Sequence, residues 1–286
     1  MNTHQSGADT LSRPEDEKLS VTANLAYGFQ HVLTMYGGIV AVPLIIGQAA
    51  GLSPTEIGLL ITASLFAGGV ATVLQTIGVP FFGCQLPLVQ GVSFAGVATM
   101  VTIVTSSQTG EAGLQVVLGA VIATAAIGLI ITPIFSRITR FFPPLVTGIV
   151  ITTIGLTLMP VAARWAMGGD SNSPEFGSMA NIGLAGLTLV IVLILSKMGN
   201  ATISRLSILF AMVIGTFIAW ALGMTDFSRV GEGSMMALPE VFHFGMPVFS
   251  LAATLSMFIV IMVTLVETSA DILAVGEILG TKVDSR

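Results

Sequence analysis

The chain has 286 residues, of which 53% are hydrophobic and only 9% are charged, and its mean hydropathy is +0.94. Soluble domains carry about 25% charged residues, so this composition excludes a soluble globular protein and predicts an all-α polytopic membrane protein. The formal net charge of -5 sits in short polar segments, without the basic patch that a nucleic-acid partner requires.

Residues 1–22 are mostly polar and of mixed charge. They lack the basic stretch and short apolar core of a signal peptide, so we predict a disordered cytoplasmic tail. The single Cys84 has no companion for a disulfide or a metal cluster. No phosphate-binding loop or metalloprotease motif follows, and we expect no cofactor and no metal.

Eight apolar runs are long enough to cross a bilayer, which takes about 20 residues of helix. The third run is short and follows residues 78–87, where two prolines and two glycines predict a break in the helix. The predicted spans cover residues 26–48, 56–79, 90–106, 113–135, 144–162, 181–198, 206–223 and 249–274.

The basic residues predict the orientation of these spans. With the N-terminus inside, eight of the ten lysines and arginines fall in cytoplasmic segments, and only Arg164 and Arg229 fall outside. The outer loops carry acidic residues instead. We therefore predict a multi-pass protein of the inner membrane with both ends of the chain in the cytoplasm.

Gln30 and His31 are polar residues inside the first apolar run. A histidine at this depth could titrate near neutral pH or orient a partner carboxylate. A structural histidine that bridges two helices explains the pattern equally well.

The segment Leu88–Gly96 follows the broken stretch and surrounds Phe94 with small residues, among them Gly91 and Ser93. An extended segment that leads into a half-helix would offer backbone N–H groups near the middle of the membrane, and Phe94 a face for stacking a planar ring. A kinked span with small residues for close helix packing is the alternative interpretation.

Glu267 and Asp271 lie one turn apart in the last apolar run, after eighteen residues without charge. An ionisable group at membrane depth costs at least ~2.5 kcal/mol, so it usually faces a cavity, a partner or a substrate. A carboxylate there could accept hydrogen bonds from substrate N–H groups or carry a proton. Two alternatives remain: a polar lock between helices, or a span that ends at Glu267 and leaves Asp271 and Glu277 in an interfacial segment.

Together these segments resemble the nucleobase–ascorbate transporters, also called nucleobase:cation symporters, which include bacterial xanthine, uracil and uric acid permeases. Gln30-His31 with Met35-Tyr36-Gly37-Gly38 is similar to the first span of that family, and Gly91-Val92-Ser93-Phe94 to its third. Phe141 to Gly148 resembles the start of the fifth, and Glu267 falls where the eighth carries a substrate-binding glutamate. The resemblance covers residues 24–286, and the purine permeases look closer than the uracil ones.

The resemblance implies a fold of fourteen spans in two inverted repeats, divided into a core and a gate domain. Residues 23–135 would hold core spans one to four, 136–224 gate spans five to seven, 225–248 an outer loop, and 249–286 core span eight. It also implies a nucleobase as substrate, a proton as coupling ion and a dimer formed through the gate domains. Glu267, Ser93, Gly91 and Phe94 would bind the base, and His31, Gln30 and Asp271 would support the site or the proton path.

The sequence stops at Arg286, just past the eighth predicted span, so the resemblance further implies a fragment or truncated product that is inactive alone. Three alternatives stay open. They are an anion carrier of the related sulfate-transporter fold, a non-transporting membrane subunit, and an intramembrane enzyme. The spans lack the metal cluster or nucleophile–base pair of an enzyme, so we expect none.

Overall fold

The computed structural model describes residues 19–80, 82–106, 110–138, 144–169, 171, 173–198, 201–225, 227–228 and 238–280. Within these ranges the structure is helical and contains no strand, apart from one isolated bridge between Val79 and Phe82. The helices are α1 (Val21–Ala49), α2 (Pro54–Ile77), a 3₁₀ turn (Phe94–Gly96), α3 (Val97–Thr105), α4 (Gly110–Ile138), α5 (Pro144–Ala166), α6 (Met179–Met198), α7 (Ala201–Arg205), α8 (Ser207–Ala221) and α9 (Leu251–Leu279).

The all-α polytopic fold predicted from the sequence is confirmed, and each of the eight apolar runs coincides with a helix. Five helices, α1, α2, α4, α6 and α9, contain stretches that are long and apolar enough to cross a membrane. The exact number of eight spans remains a prediction, because Phe94–Thr105 and Ser207–Ala221 are shorter apolar helices. Residues 1–18 of the predicted tail lie outside the described residues.

Helix α1 begins at Val21, before the predicted start at residue 26, because Ser20 caps it. The Ser20 hydroxyl accepts a hydrogen bond from the Ala23 N–H at 3.2 Å. Helix α2 begins with a capping box, in which Ser53 accepts from the Glu56 N–H and the Glu56 carboxylate accepts from the Ser53 N–H. Both starts lie in polar sequence that hydropathy alone does not assign to a helix.

The predicted break before the third span is confirmed, and it is longer than the sequence indicated. The described residues from Gly78 to Ser93 are non-helical, so the third helical segment begins at Phe94 rather than at residue 90. Three of them have a positive φ, Gly78 at 69°, Gly83 at 84° and Gln85 at 59°. The Gln85 N–H donates to the Gln75 carbonyl at 3.1 Å, which ties this turn to α2.

The helices pack in two groups that contact each other. Helices α1 to α4 and α9 surround a core whose buried members include Val42, Ile46, Val97 and Leu114. Helices α6, α7 and α8 form the second group, and α5 contacts both α6 and α9. The division into core and gate domains at residue 135 remains a prediction.

Helix α9 is held at its start by α4. The Gln115 side-chain amide donates to the Phe244 carbonyl at 3.0 Å, and the Gln115 carbonyl accepts from the Val248 N–H at 3.0 Å. Gly119, one turn further along α4, lies in direct contact with the Val248 backbone. These contacts fix the depth at which α9 begins and therefore the depth of every residue that it carries.

Candidate functional site

The structure brings Ser93 and Glu267 together. The Ser93 Oγ donates a hydrogen bond to Glu267 Oε2 at 3.0 Å and accepts one from the Ala95 N–H at 3.2 Å. Ser93 is therefore the N-cap of the 3₁₀ turn and a partner of the carboxylate at the same time. A hydroxyl–carboxylate bond at this depth is charge-assisted whenever Glu267 is ionised.

Glu267 is half-buried on α9, one residue after the buried Val266. Its Oε2 accepts from Ser93, and a carboxylate has further lone pairs on both oxygens. This geometry leaves acceptor capacity for a ligand that carries N–H groups. It is equally the geometry of a polar lock between the third segment and α9, so the Ser93 contact alone does not separate the two interpretations.

Asp271 follows one turn later on the same helix and is exposed. Helix α9 continues past both acids to Leu279, where Gly280 ends it in the left-handed conformation. The helix therefore continues past Glu267, and whether the membrane span ends at Glu267 remains a prediction. Among the described residues the Asp271 carboxylate makes no hydrogen bond, and its role in a proton path remains a prediction.

Phe94 and Gly91 flank the Ser93 position differently. Phe94 is half-buried and packs against the core cluster that includes Val97. Gly91 lies against the Ile39 side chain, and a Cβ at this glycine would come within 3.3 Å of Ile39 Cδ1. A side chain at this position would require the Ile39 side chain to move by a few tenths of an ångström, so glycine suits the close packing between α1 and the extended segment, and its part in binding a base remains a prediction.

His31 and Gln30 lie in the exposed first half of α1. His31 precedes the buried Ile39 by eight positions, or about 12 Å along a helix that rises 1.5 Å per residue. Within the described ranges neither side chain makes a hydrogen bond. The structure does not bring them against the Ser93–Glu267 pair, and their support of the site remains a prediction.

An apolar cavity of about 350 Å³, within the range of small-molecule sites, is lined by Ser93 of this pair, while Glu267, Phe94 and Gly91 do not line it. Ser93 and Gly96 form one wall, and α9 contributes Val260 and Thr264 one to two turns before Glu267. Helices α1, α2 and α4 close the other sides. Among the described residues no three histidines, cysteines or carboxylates come together as a metal site would require.

Thr72 and Gln115 are the positioning residues that sequence reasoning missed. The Thr72 hydroxyl accepts from the Gln90 N–H at 2.9 Å, which holds the extended segment to α2. Gln115 sets the start of α9, as described above. Gln115 could have been found from the sequence, because it is an amide side chain in an otherwise apolar run. Thr72 has no comparable signal, because threonine is common in spanning helices.

Comparison with known proteins identifies the family. The model of the Permease family matches residues 22–285. The uric acid transporter UacT of Escherichia coli (strain K12) is 37% identical over 281 residues, which are 98% of this chain and 58% of that protein. The xanthine permease of Bacillus subtilis (strain 168) is 39% identical over 254 residues, 89% of this chain and 57% of that protein.

The uric acid permease PucK of Bacillus subtilis (strain 168) is 37% identical over 259 residues, which are 91% of this chain and 59% of that protein. The chain therefore belongs to the permease family that includes the xanthine and uric acid permeases, as its sequence motifs predicted. It spans between 57% and 59% of the length of these three relatives.

Proposed function

We propose that this chain is the substrate-site-bearing part of a secondary active permease for nucleobases, with purines such as xanthine or uric acid as substrates. The observation that carries the proposal is the Ser93–Glu267 hydrogen bond at 3.0 Å beside a cavity of about 350 Å³. A half-buried carboxylate with free lone pairs suits a planar ring that donates N–H groups. The names of the relatives, uric acid transporter and xanthine permease, support the same substrate class.

Proton symport is the coupling that we propose. Glu267 is an ionisable group on a helix whose preceding residues are apolar, and such groups in spanning helices are typical of proton relays. Asp271, exposed one turn further on, supplies a second carboxylate along the same helix. Symport requires the proton and the substrate to be bound at the same time, so in this proposal Glu267 accepts from the substrate N–H groups while Asp271 belongs to the proton path.

The anion carrier of the sulfate-transporter fold is the weaker candidate. An anion site would be expected to combine half-helix dipoles with a positive charge near the ligand, and the described residues that line the cavity include no lysine or arginine. The pair found here presents a carboxylate, which repels an anion. The names of the relatives, a uric acid transporter and a xanthine permease, favour a transporter over an enzyme.

We further propose a location in the inner membrane with the N-terminus in the cytoplasm, supported by the distribution of basic residues. A homodimer formed through residues 136–224 is the assembly that the family resemblance favours. Reporter fusions after Gln48 and after Ile77 should fall on opposite sides of the membrane if the orientation is right, with the first outside.

The function is tested by uptake of radiolabelled xanthine, uric acid and uracil in cells that lack their own permeases. The 286-residue chain is compared with a version extended through the natural downstream reading frame. We expect xanthine or uric acid uptake by the extended version and none by the shorter chain. Uptake of none of the three bases by either version, with both present in the membrane, would refute nucleobase transport, and uptake of uracil alone would refute the purine specificity.

A further inference from the structure

The extended segment that leads to Ser93 has few backbone hydrogen bonds of its own. Among the described residues, no hydrogen bond between backbone groups involves residues 89–92. Backbone N–H and C=O groups at membrane depth lack water and need partners. The position of this segment therefore depends on whatever side chains bind its backbone.

Thr72 of α2 forms hydrogen bonds with the backbone of this extended segment. The Thr72 Oγ1 accepts from the Gln90 N–H at 2.9 Å, and its own proton points to the Gly68 carbonyl at 2.7 Å, with the Gln90 carbonyl at 3.2 Å. Thr62 and Thr76 of the same helix donate within α2, Thr62 to the Gly58 carbonyl and Thr76 to the Thr72 carbonyl. Thr72 thus differs from its neighbours in reaching a residue 18 positions away.

Close backbone packing at the same turn supports the contact. A Cβ at Gly68 would lie 3.1 Å from the Gln90 carbonyl oxygen and 3.8 Å from the Gly91 Cα. Gly68 and Thr72 are one turn apart on the same face of α2. The glycine leaves room for the backbone of the extended segment, and the threonine hydroxyl forms a hydrogen bond with that backbone. Ile39 of α1 packs against Gly68 and Gly91 from the other side.

We infer that Thr72 is a positioning residue for the substrate site, because its hydroxyl sets where Ser93 meets Glu267. Gln90 and Ser93 are three residues apart, about 10 Å of extended chain. A shift of well under 1 Å at Gln90 is enough to weaken a Ser93–Glu267 bond that stands at 3.0 Å. Thr72 does not line the cavity beside Ser93, so its effect reaches the substrate through the segment alone. This inference rests on the proposed function.

The test compares Thr72→Val, which keeps the shape and removes the hydroxyl, with Thr72→Ser, which keeps the hydroxyl. The matched control is Thr76→Val, on the same helix. In the version that transports, KM for the purine is measured beside Vmax and the amount of protein in the membrane. We expect Thr72→Val to raise KM about tenfold, the equivalent of 1.4 kcal/mol of binding. Thr72→Ser and Thr76→Val should keep the wild-type KM.

Three outcomes overturn the inference. They are a Thr72→Val variant with unchanged KM, a Thr76→Val variant with an equal rise, and a Thr72→Ser variant as impaired as Thr72→Val. If Thr72→Val does not reach the membrane, Thr72→Ala replaces it in the same comparison with Thr72→Ser. Failure of the proposed function gives a different result, since the extended version without substitutions would then take up none of the three bases.

A second measurement does not need transport. A cysteine placed by Ser93→Cys, in a Cys84→Ala background, reports the position of the segment through its rate of alkylation by a membrane-permeant maleimide. Adding Thr72→Val should change that rate, while adding Thr76→Val should leave it unchanged. Equal rates in all three backgrounds would overturn the positioning role even if the chain carries no nucleobase.

Discussion

Ser93 and Glu267 are 174 positions apart in the sequence, yet the serine hydroxyl donates to the glutamate Oε2 at 3.0 Å. The serine lies at the end of a non-helical segment and the glutamate on a continuous helix, so the contact joins a segment without regular backbone pairing to a rigid element. The hydroxyl has one proton, which goes to the carboxylate, and a lone pair that receives the Ala95 N–H. Ser93 can therefore donate to a ligand only by releasing Glu267.

Glu267→Gln should abolish purine uptake while the protein stays in the membrane. An amide keeps the shape, but it cannot take a proton and offers one acceptor oxygen in place of two. The measurement is radiolabelled uptake normalised to protein in the membrane. Glu277→Gln is the matched control, because Glu277 is an exposed carboxylate on the same helix. Unchanged uptake in Glu267→Gln would remove Glu267 from the site.

Phe94→Ala should raise the KM for purines more than it lowers the amount of protein in the membrane. The ring is half-buried against the core cluster, so part of the loss will be packing. Phe94→Leu fills much of the volume without an aromatic face, so it separates the contribution of packing from that of ring stacking on the substrate. If uptake and protein amount fall in proportion in both variants, Phe94 only packs.

Gly119→Ala should destabilise the protein by about 1–3 kcal/mol, since a Cβ there would overlap the Val248 backbone and push the start of α9 away from α4. Thermal unfolding in detergent measures the change. Gly183→Ala on α6 meets nothing within 4 Å and serves as control. In that variant the higher helix propensity of alanine should keep the stability equal or raise it by up to about 1 kcal/mol. Equal melting temperatures for the two variants would contradict the close contact.

Trp165→Phe should lower stability by about 1 kcal/mol, because the indole N–H donates to Gln48 Oε1 at 2.7 Å and joins α5 to the end of α1. Trp220, the other tryptophan of the chain, is exposed and contacts the Phe217 ring. Trp220→Phe should therefore change the melting temperature little. The interpretation fails if both substitutions have the same effect.

Uptake should rise with an inward proton gradient and collapse when a protonophore is added. Under proton symport, each substrate enters with a proton bound on the outer side and released inside, so the gradient drives accumulation. The measurement is initial uptake at fixed internal pH and varied external pH. The Glu277→Gln variant should keep this dependence. Insensitivity to the protonophore would exclude proton coupling.

Much of the helical architecture could be predicted from the sequence, because apolar runs of spanning length leave helix as the structure that satisfies the backbone in lipid. The break before the third helix was also predictable from Pro80, Gly83 and Pro87. The short α7 was absent from the predicted elements, since five residues give no hydropathy signal. Helix starts were displaced where polar caps such as Ser20 extend a helix beyond its apolar run.

The candidate site was less predictable. Glu267 could be identified as a charged residue after an apolar run, and Ser93 as part of a motif. Their contact could not be predicted, because it depends on packing between segments that are distant in the sequence. Thr72 carried no signal, because a threonine that bonds within its own helix and one that bonds across to Gln90 look alike in sequence. The roles of His31 and Gln30 remain predictions, as their side chains make no hydrogen bond within the described ranges.

The distance in sequence between the two halves of the site also has a consequence for synthesis. A ribosome adds 5–20 residues per second, so the 174 residues from Ser93 to Glu267 take roughly 10 to 35 s. During that interval the nascent chain already holds Thr72, Gln90 and the surface of α4 on which α9 will dock. The surface of α4 that receives α9 is therefore made before α9, and the Ser93–Glu267 pair forms only after α9 has been synthesised.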